Sequence, residues 1–121
     1  MPRILVIDDD AMIRTLLRTV LEREGYDVSA ASNGADGLQQ YRAMLPDLVI
    51  TDLQMPVMDG FQVLHELQRL VPPPVVIATS GDQHALSRAR ALTPHTFAKP
   101  LPLPQLLATV HALVAARPEC P

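Results

Sequence analysis

At 121 residues, 48% of them apolar and 3% aromatic, the chain suits one domain whose core is filled by Leu, Val, Ile and Ala rather than by rings. A formal net charge of -3 excludes a strongly basic reader of phosphate backbones and gives no attraction to anionic lipid. No stretch approaches the ~20 apolar residues of a membrane span. The single cysteine, Cys120, rules out an internal disulfide or a cysteine metal cluster and fits a reducing cytoplasm.

The chain enters its first strand by residue 3, which leaves no room for a signal peptide. Arg3-Ile4-Leu5-Val6-Ile7 is an apolar run cut off by Asp8-Asp9-Asp10, the pattern of a strand buried on both faces. Ile13, Leu16, Leu17, Val20 and Leu21 then recur at helical spacing as far as Gly25, with Asp10 as the cap of this first helix. Asp27 to Ala31 reads as a short second strand, and Asn33-Gly34 turns into a helix carrying Leu38, Tyr41 and Met44 on one face. Pro46 ends that helix, and Leu48-Val49-Ile50-Thr51 repeats the first pattern, running into Asp52. After a Pro-Gly loop, Asp59-Gly60 opens a third helix marked by Val63, Leu64, Leu67, Leu70 and Val71, which Pro72-Pro73-Pro74 breaks. Val75 to Thr79 is a fourth strand, Gln83 to Leu92 a short helix and His95 to Ala98 a fifth strand. The closing helix runs from Leu103 to Val114, with Leu103, Leu106, Leu107, Val110 and Val114 facing inward. Five strands, each followed by a helix, predict a doubly wound (βα)5 α/β fold: a parallel sheet in a three-layer sandwich, with residues 1–121 as one domain.

Open sheets of this kind bind ligands outside the carboxyl ends of their strands, so Asp8, Asp9 and Asp52 should converge where chemistry occurs. At ~5 Å, two ionised carboxylates repel by roughly 3 kcal/mol at an effective dielectric of ~20, which calls for a cation. An oxygen-only site with room for water and a phosphate oxygen suits Mg²⁺ better than zinc or calcium. The fifth strand ends in Lys99, followed by Pro100, and the fourth in Thr79, with Ser80 beside it. Such a set would hold a phosphoryl group through its oxygens, and a central Asp could be its nucleophile.

Together, Asp8-Asp9, the segment Asp52-Leu53-Gln54-Met55-Pro56-Val57-Met58-Asp59-Gly60, Thr79 and Lys99-Pro100 resemble the receiver domain of two-component response regulators. The resemblance covers almost the whole chain and keeps order, spacing and strand-end placement. It implies a flavodoxin-like strand order 2-1-3-4-5. It also implies that Asp52 is phosphorylated by a sensor histidine kinase or a histidine phosphotransfer protein. Asp9, Asp52 and the backbone carbonyl of Gln54 would ligate Mg²⁺, Asp8 would hold metal-bound water, and Thr79 and Lys99 would contact the phosphoryl oxygens. A cis peptide is implied between Lys99 and Pro100, where proline lowers its cost. Thr79 is preferred over Ser80 because it falls five residues after Pro74, where this strand ends in the family.

Taken singly, each of these residues has a plainer reading. A strand-end Asp caps a helix or forms a turn, Thr79 suits any strand and Lys99 any surface; only the joint occurrence outweighs this. His65, His84, His95 and His111 lie on separate elements without ligand spacing and are expected at the surface, and Met55 and Met58 are expected to pack within their loop. The family often has an aromatic three residues before the strand-five lysine. Here that position is Thr96, and alternation points its neighbour Phe97 to the other face. Gly81 offers nothing to an attacking water, whereas Gln54 could position or shield one. The chain stops at Pro121 without DNA-binding helices, as expected of a stand-alone receiver acting on a downstream protein target, or of one excised from a larger regulator. It would be a phosphoacceptor rather than an ordinary enzyme. A Mg²⁺-dependent aspartyl-phosphate phosphohydrolase would need an acid/base Asp where Gln54 stands, and an adaptor receiver that is never phosphorylated would not need the intact acidic set. A nucleotide-binding module would need a Gly-rich turn or a Walker lysine loop, and neither occurs.

Overall fold

The computed structural model describes residues 2–55 and 59–116. The elements alternate as β1 (Arg3–Ile7), α1 (Ala11–Arg23), β2 (Asp27–Ala31), α2 (Gly34–Met44), β3 (Leu48–Asp52), α3 (Gly60–Gln68), β4 (Val75–Ser80), α4 (Gln83–Ala89), β5 (Thr96–Ala98) and α5 (Leu103–Ala116). All strand pairs are parallel and the order is β2-β1-β3-β4-β5, as the resemblance implied. Val49 and Ile50 at the centre of the sheet are both buried, on opposite faces, which is why the run reads as continuous rather than alternating.

The alternation of side chains along each strand divides the core in two. Ile4, Val6, Leu48, Ile50 and Ile77 pack on one face with Leu17 and Leu21 of α1 and Leu106 and Val110 of α5. Leu5, Ile7, Val49, Val76 and Ala78 pack on the other with residues of α2, α3 and α4, among them Leu38, Leu64 and Leu86. The result is the three-layer sandwich. Side-chain oxygens of Asp10, Asn33, Asp59 and Asp82 accept from the first-turn N–H groups of α1 to α4, each cap worth about 1 kcal/mol. Asp59 and Gln62 form a reciprocal capping box, so Asp59 starts α3 as its position suggested.

Two helices are shorter than their apolar spacing predicts. The third ends at Gln68, leaving Leu70 and Val71 outside it, 39% and 97% exposed. Pro72 disfavours helical backbone at Val71, so the helix stops short of the residues that continued its stripe. The fourth ends at Ala89 rather than Leu92, because the N–H groups of Ala91 and Leu92 turn back to carbonyls three residues behind, at 3.3 and 2.8 Å. The remaining boundaries shift by a residue or two, β4 gaining Ser80 and β5 losing His95. Leu16, part of the apolar spacing of α1, is 39% exposed.

Candidate functional site

The face that carries Ile4, Val6, Leu48, Ile50 and Ile77 continues, at the carboxyl ends of the strands, into the polar site. Two residues on from Val6 is Asp8, from Ile50 is Asp52, from Ile77 is Thr79, and from Phe97 is Lys99. Pairing sets Asp52 level with Thr79 and Thr79 level with Phe97. Four side chains from four strand ends thus meet above the same core face. Ser80, one residue further on, belongs to the opposite face. Backbone bonds from Leu53 N–H to the Thr79 carbonyl at 3.0 Å and from Lys99 N–H to the Ser80 carbonyl at 2.9 Å fix these ends to one another.

Lys99 bridges the carboxylates, its Nζ lying 2.9 Å from Oδ2 of Asp8 and 3.4 Å from Oδ2 of Asp52. Both acids are buried, whereas Asp9 and Gln54 are exposed at the rim. The other oxygen of Asp8 accepts from the backbone N–H of Asp10 at 2.9 Å, and Oδ1 of Asp52 accepts from that of Gln54 at 3.3 Å. Burial, and then the charge of Asp8, push the carboxyl of Asp52 up to about 6, against the opposing pull of Lys99. Burial also works against the charge on Lys99, but its bond to Asp8 and the charges of Asp8 and Asp52 outweigh that and raise its pKa. Ligand oxygens of Asp8, Asp9 and Asp52 lie within 4.8 Å of one another. One lysine cannot neutralise three acids, two of them out of water. An oxygen-only set of this charge, with one member at the rim, fits a hard divalent cation.

The Lys99–Pro100 peptide is cis, as the resemblance implied. Gly60 packs α3 directly onto β3: a Cβ there would lie 2.2 Å from the carbonyl oxygen of Asp52. Phe97 packs on the α1 and α5 side of the sheet, so the opposite face at the end of β5 carries only Thr96 and Ala98. Met55 is buried in the core on the α2, α3 and α4 side; Met58 lies outside the described residues. His65, His84 and His111 are exposed and His95 is half-buried. Two contacts at the site, among the described residues, were not foreseen. Arg14 donates from Nη1 to the carbonyl of Asp8 at 2.8 Å, and Ser80 donates to the side chain of Gln54 at 3.3 Å. Only the place of Arg14 in the first turns of α1, close behind the acidic run, could have hinted at the former.

A sequence profile of the response regulator receiver domain matches residues 4–111. The chain belongs to that family of two-component signalling proteins. The transcriptional regulatory protein PrrA of Mycobacterium leprae is 34% identical over 119 residues, which is 96% of this chain and 51% of PrrA. AfsQ1 of Streptomyces coelicolor, also a transcriptional regulatory protein, is 40% identical over 80 residues, 66% of this chain and 36% of its own length. The chain therefore spans between about a third and a half of these relatives. Among solved structures, the Thermotoga maritima response regulator TrrA, in complex with Mg²⁺ and BeF, aligns with a TM-score of 0.86 at 32% identity, covering 93% of this chain and 99% of that one. The signal receiver domain of a DNA-binding response regulator from Colwellia psychrerythraea gives 0.87 at 31% identity, covering 95% and 99%. Among the described residues no helix is long and apolar enough to cross a membrane.

Proposed function

We propose that the chain takes a phosphoryl group onto Asp52 from the phosphohistidine of a sensor histidine kinase or phosphotransfer protein in the cytoplasm, and passes the signal to a downstream protein target by contact. The observation that carries this reading is the convergence of Asp8, Asp52, Thr79 and Lys99 on one face, with the lysine ammonium 2.9 and 3.4 Å from the two acids. A carboxylate oxygen of Asp52 attacks phosphorus, the phosphorus–nitrogen bond to the donor imidazole breaks, and the imidazole keeps the electron pair. Lys99 is already at hand to meet the phosphoryl oxygens, and the Thr79 hydroxyl is the second contact. Thr79 fits that role better than Ser80 because it continues the same strand face as Asp52. Asp9, Asp52 and the Gln54 carbonyl would hold Mg²⁺, with Asp8 acting through a bound water. Bound there, the metal would offset charge on the phosphoryl oxygens. That the similar TrrA is found in complex with Mg²⁺ and BeF supports a Mg²⁺ site in this pocket.

Acetyl phosphate, offered with and without Mg²⁺, tests the reading. The expected result is Mg²⁺-dependent modification of the protein that saturates at one phosphoryl group per chain. Rapid multiple-turnover release of phosphate would make the chain a phosphohydrolase, and no modification would make it an adaptor.

A further inference from the structure

Ser80 ends β4 on the sheet face opposite to Thr79 and is fully buried. Its hydroxyl donates to Oε1 of Gln54 at 3.3 Å and accepts from the backbone N–H of Asp82, the cap of α4, at 3.0 Å. One hydroxyl thereby joins the loop after β3 to the start of α4. Gln54 is exposed, and its backbone N–H lies 3.3 Å from Oδ1 of Asp52. Its side chain is rooted beside the acceptor but held at its tip toward the α4 side. We propose that Ser80 is a positioning residue for loss of the phosphoryl group from Asp52: by holding the Gln54 amide aside, it lengthens the life of the modified chain. The inference rests on Asp52 being the acceptor.

The chemistry sets the direction of the effect. In hydrolysis, a water oxygen bonds to phosphorus while the bond from phosphorus to the Asp52 carboxylate oxygen breaks. The electron pair returns to the carboxylate, and the proton of the water leaves to solvent with the inorganic phosphate. The water must approach opposite the bond that breaks, from the open side of the pocket. A primary amide has two donors and an acceptor, so a released Gln54 can bind and orient that water. Tethered, it spends its acceptor on Ser80, and Gly81 has no side chain to take its place.

Chains modified with acetyl phosphate and Mg²⁺, then freed of donor by desalting, can be followed by intact mass. Ser80→Ala should shorten the lifetime about three- to tenfold, the range that one neutral hydrogen bond commands. Gln54→Asn, a change at an exposed position that keeps the amide but falls short of Ser80, should shorten it similarly. In a Gln54→Ala chain, whatever its own lifetime, adding Ser80→Ala should change nothing further, which a general loosening of the fold would not reproduce. Unchanged or longer lifetimes in Ser80→Ala and Gln54→Asn would overturn the proposal, as would a Ser80→Ala effect that survives in the Gln54→Ala chain. A wild-type chain that takes up no phosphate would overturn the acceptor reading itself, and this inference with it.

Discussion

Asp52 is held under tension between two neighbours of opposite sign. Burial and Asp8 favour its protonated form and raise its pKa to about 6, while Lys99 favours the ionised form. In the unfolded chain an Asp ionises near pH ~4. As pH rises from that value to about 6, the unfolded chain loses this proton first, so the folded state loses stability across the interval, and the loss stays constant above it. Asp52→Asn removes the titrating group. In metal-free buffer it should raise stability by about 1–2 kcal/mol at pH 7.5, with the gain shrinking toward zero near pH 4. Urea denaturation at several pH values checks this; a gain independent of pH would contradict the assigned cause. The two remaining acids should differ. Asp8 is buried and already engaged by Lys99, whereas Asp9 stands exposed at the rim, free to enter a metal's coordination sphere directly. NMR titration with Mg²⁺ should therefore show a larger affinity loss for Asp9→Asn than for Asp8→Asn. Equal affinity in both variants and wild type would rule out this division of roles. The acidic residues were legible because apolar strands ending in Asp have few other places to put it. Bonds to backbone or between loops, such as those of Arg14 and Ser80, leave no such mark on the sequence.

Among the elements, the start of α3 is fitted to β3 by a glycine. The carbonyl of Asp52 and the Cα of Leu53 would lie 2.2 and 2.5 Å from a Cβ at residue 60, and these are backbone atoms that cannot swing away. Gly60→Ala should cost about 1–3 kcal/mol in denaturant unfolding and displace the loop that carries Gln54. Wild-type stability would mean that α3 can shift freely on β3. The end of β5 bears on the switch. With Thr96 where an aromatic often stands, and Phe97 committed to the opposite face, a contact change at Thr79 and Lys99 has no large side chain to carry it outward. A two-state element moves only if its states bind the phosphoryl group differently. Beryllofluoride should slow hydrogen exchange strongly in residues 79–84 and only slightly in 94–106. Equal protection in both segments would show that Thr96 or Phe97 relays the signal. The helix ends at Gln68 and Ala89 were the least legible feature here, because an apolar stripe continues past the point where Pro72 and the turn after Ala89 stop the backbone.

Across the whole molecule, the two-residue repeat of the strands does most to link sequence to site. Buried strands hide which face each residue takes, since both are apolar, and the order of the strands cannot be counted from the runs alone; the family resemblance supplied it. Once the order β2-β1-β3-β4-β5 is in place, the repeat separates Thr79 from Ser80 and brings Asp8, Asp52, Thr79 and Lys99 together. This convergence should make Asp52 the sole phosphoacceptor. Intact-mass analysis of wild type and Asp52→Asn after parallel incubation with acetyl phosphate and Mg²⁺ tests it most directly. One added phosphoryl group on wild type and none on the variant is the predicted result; modification that persists in Asp52→Asn would contradict it.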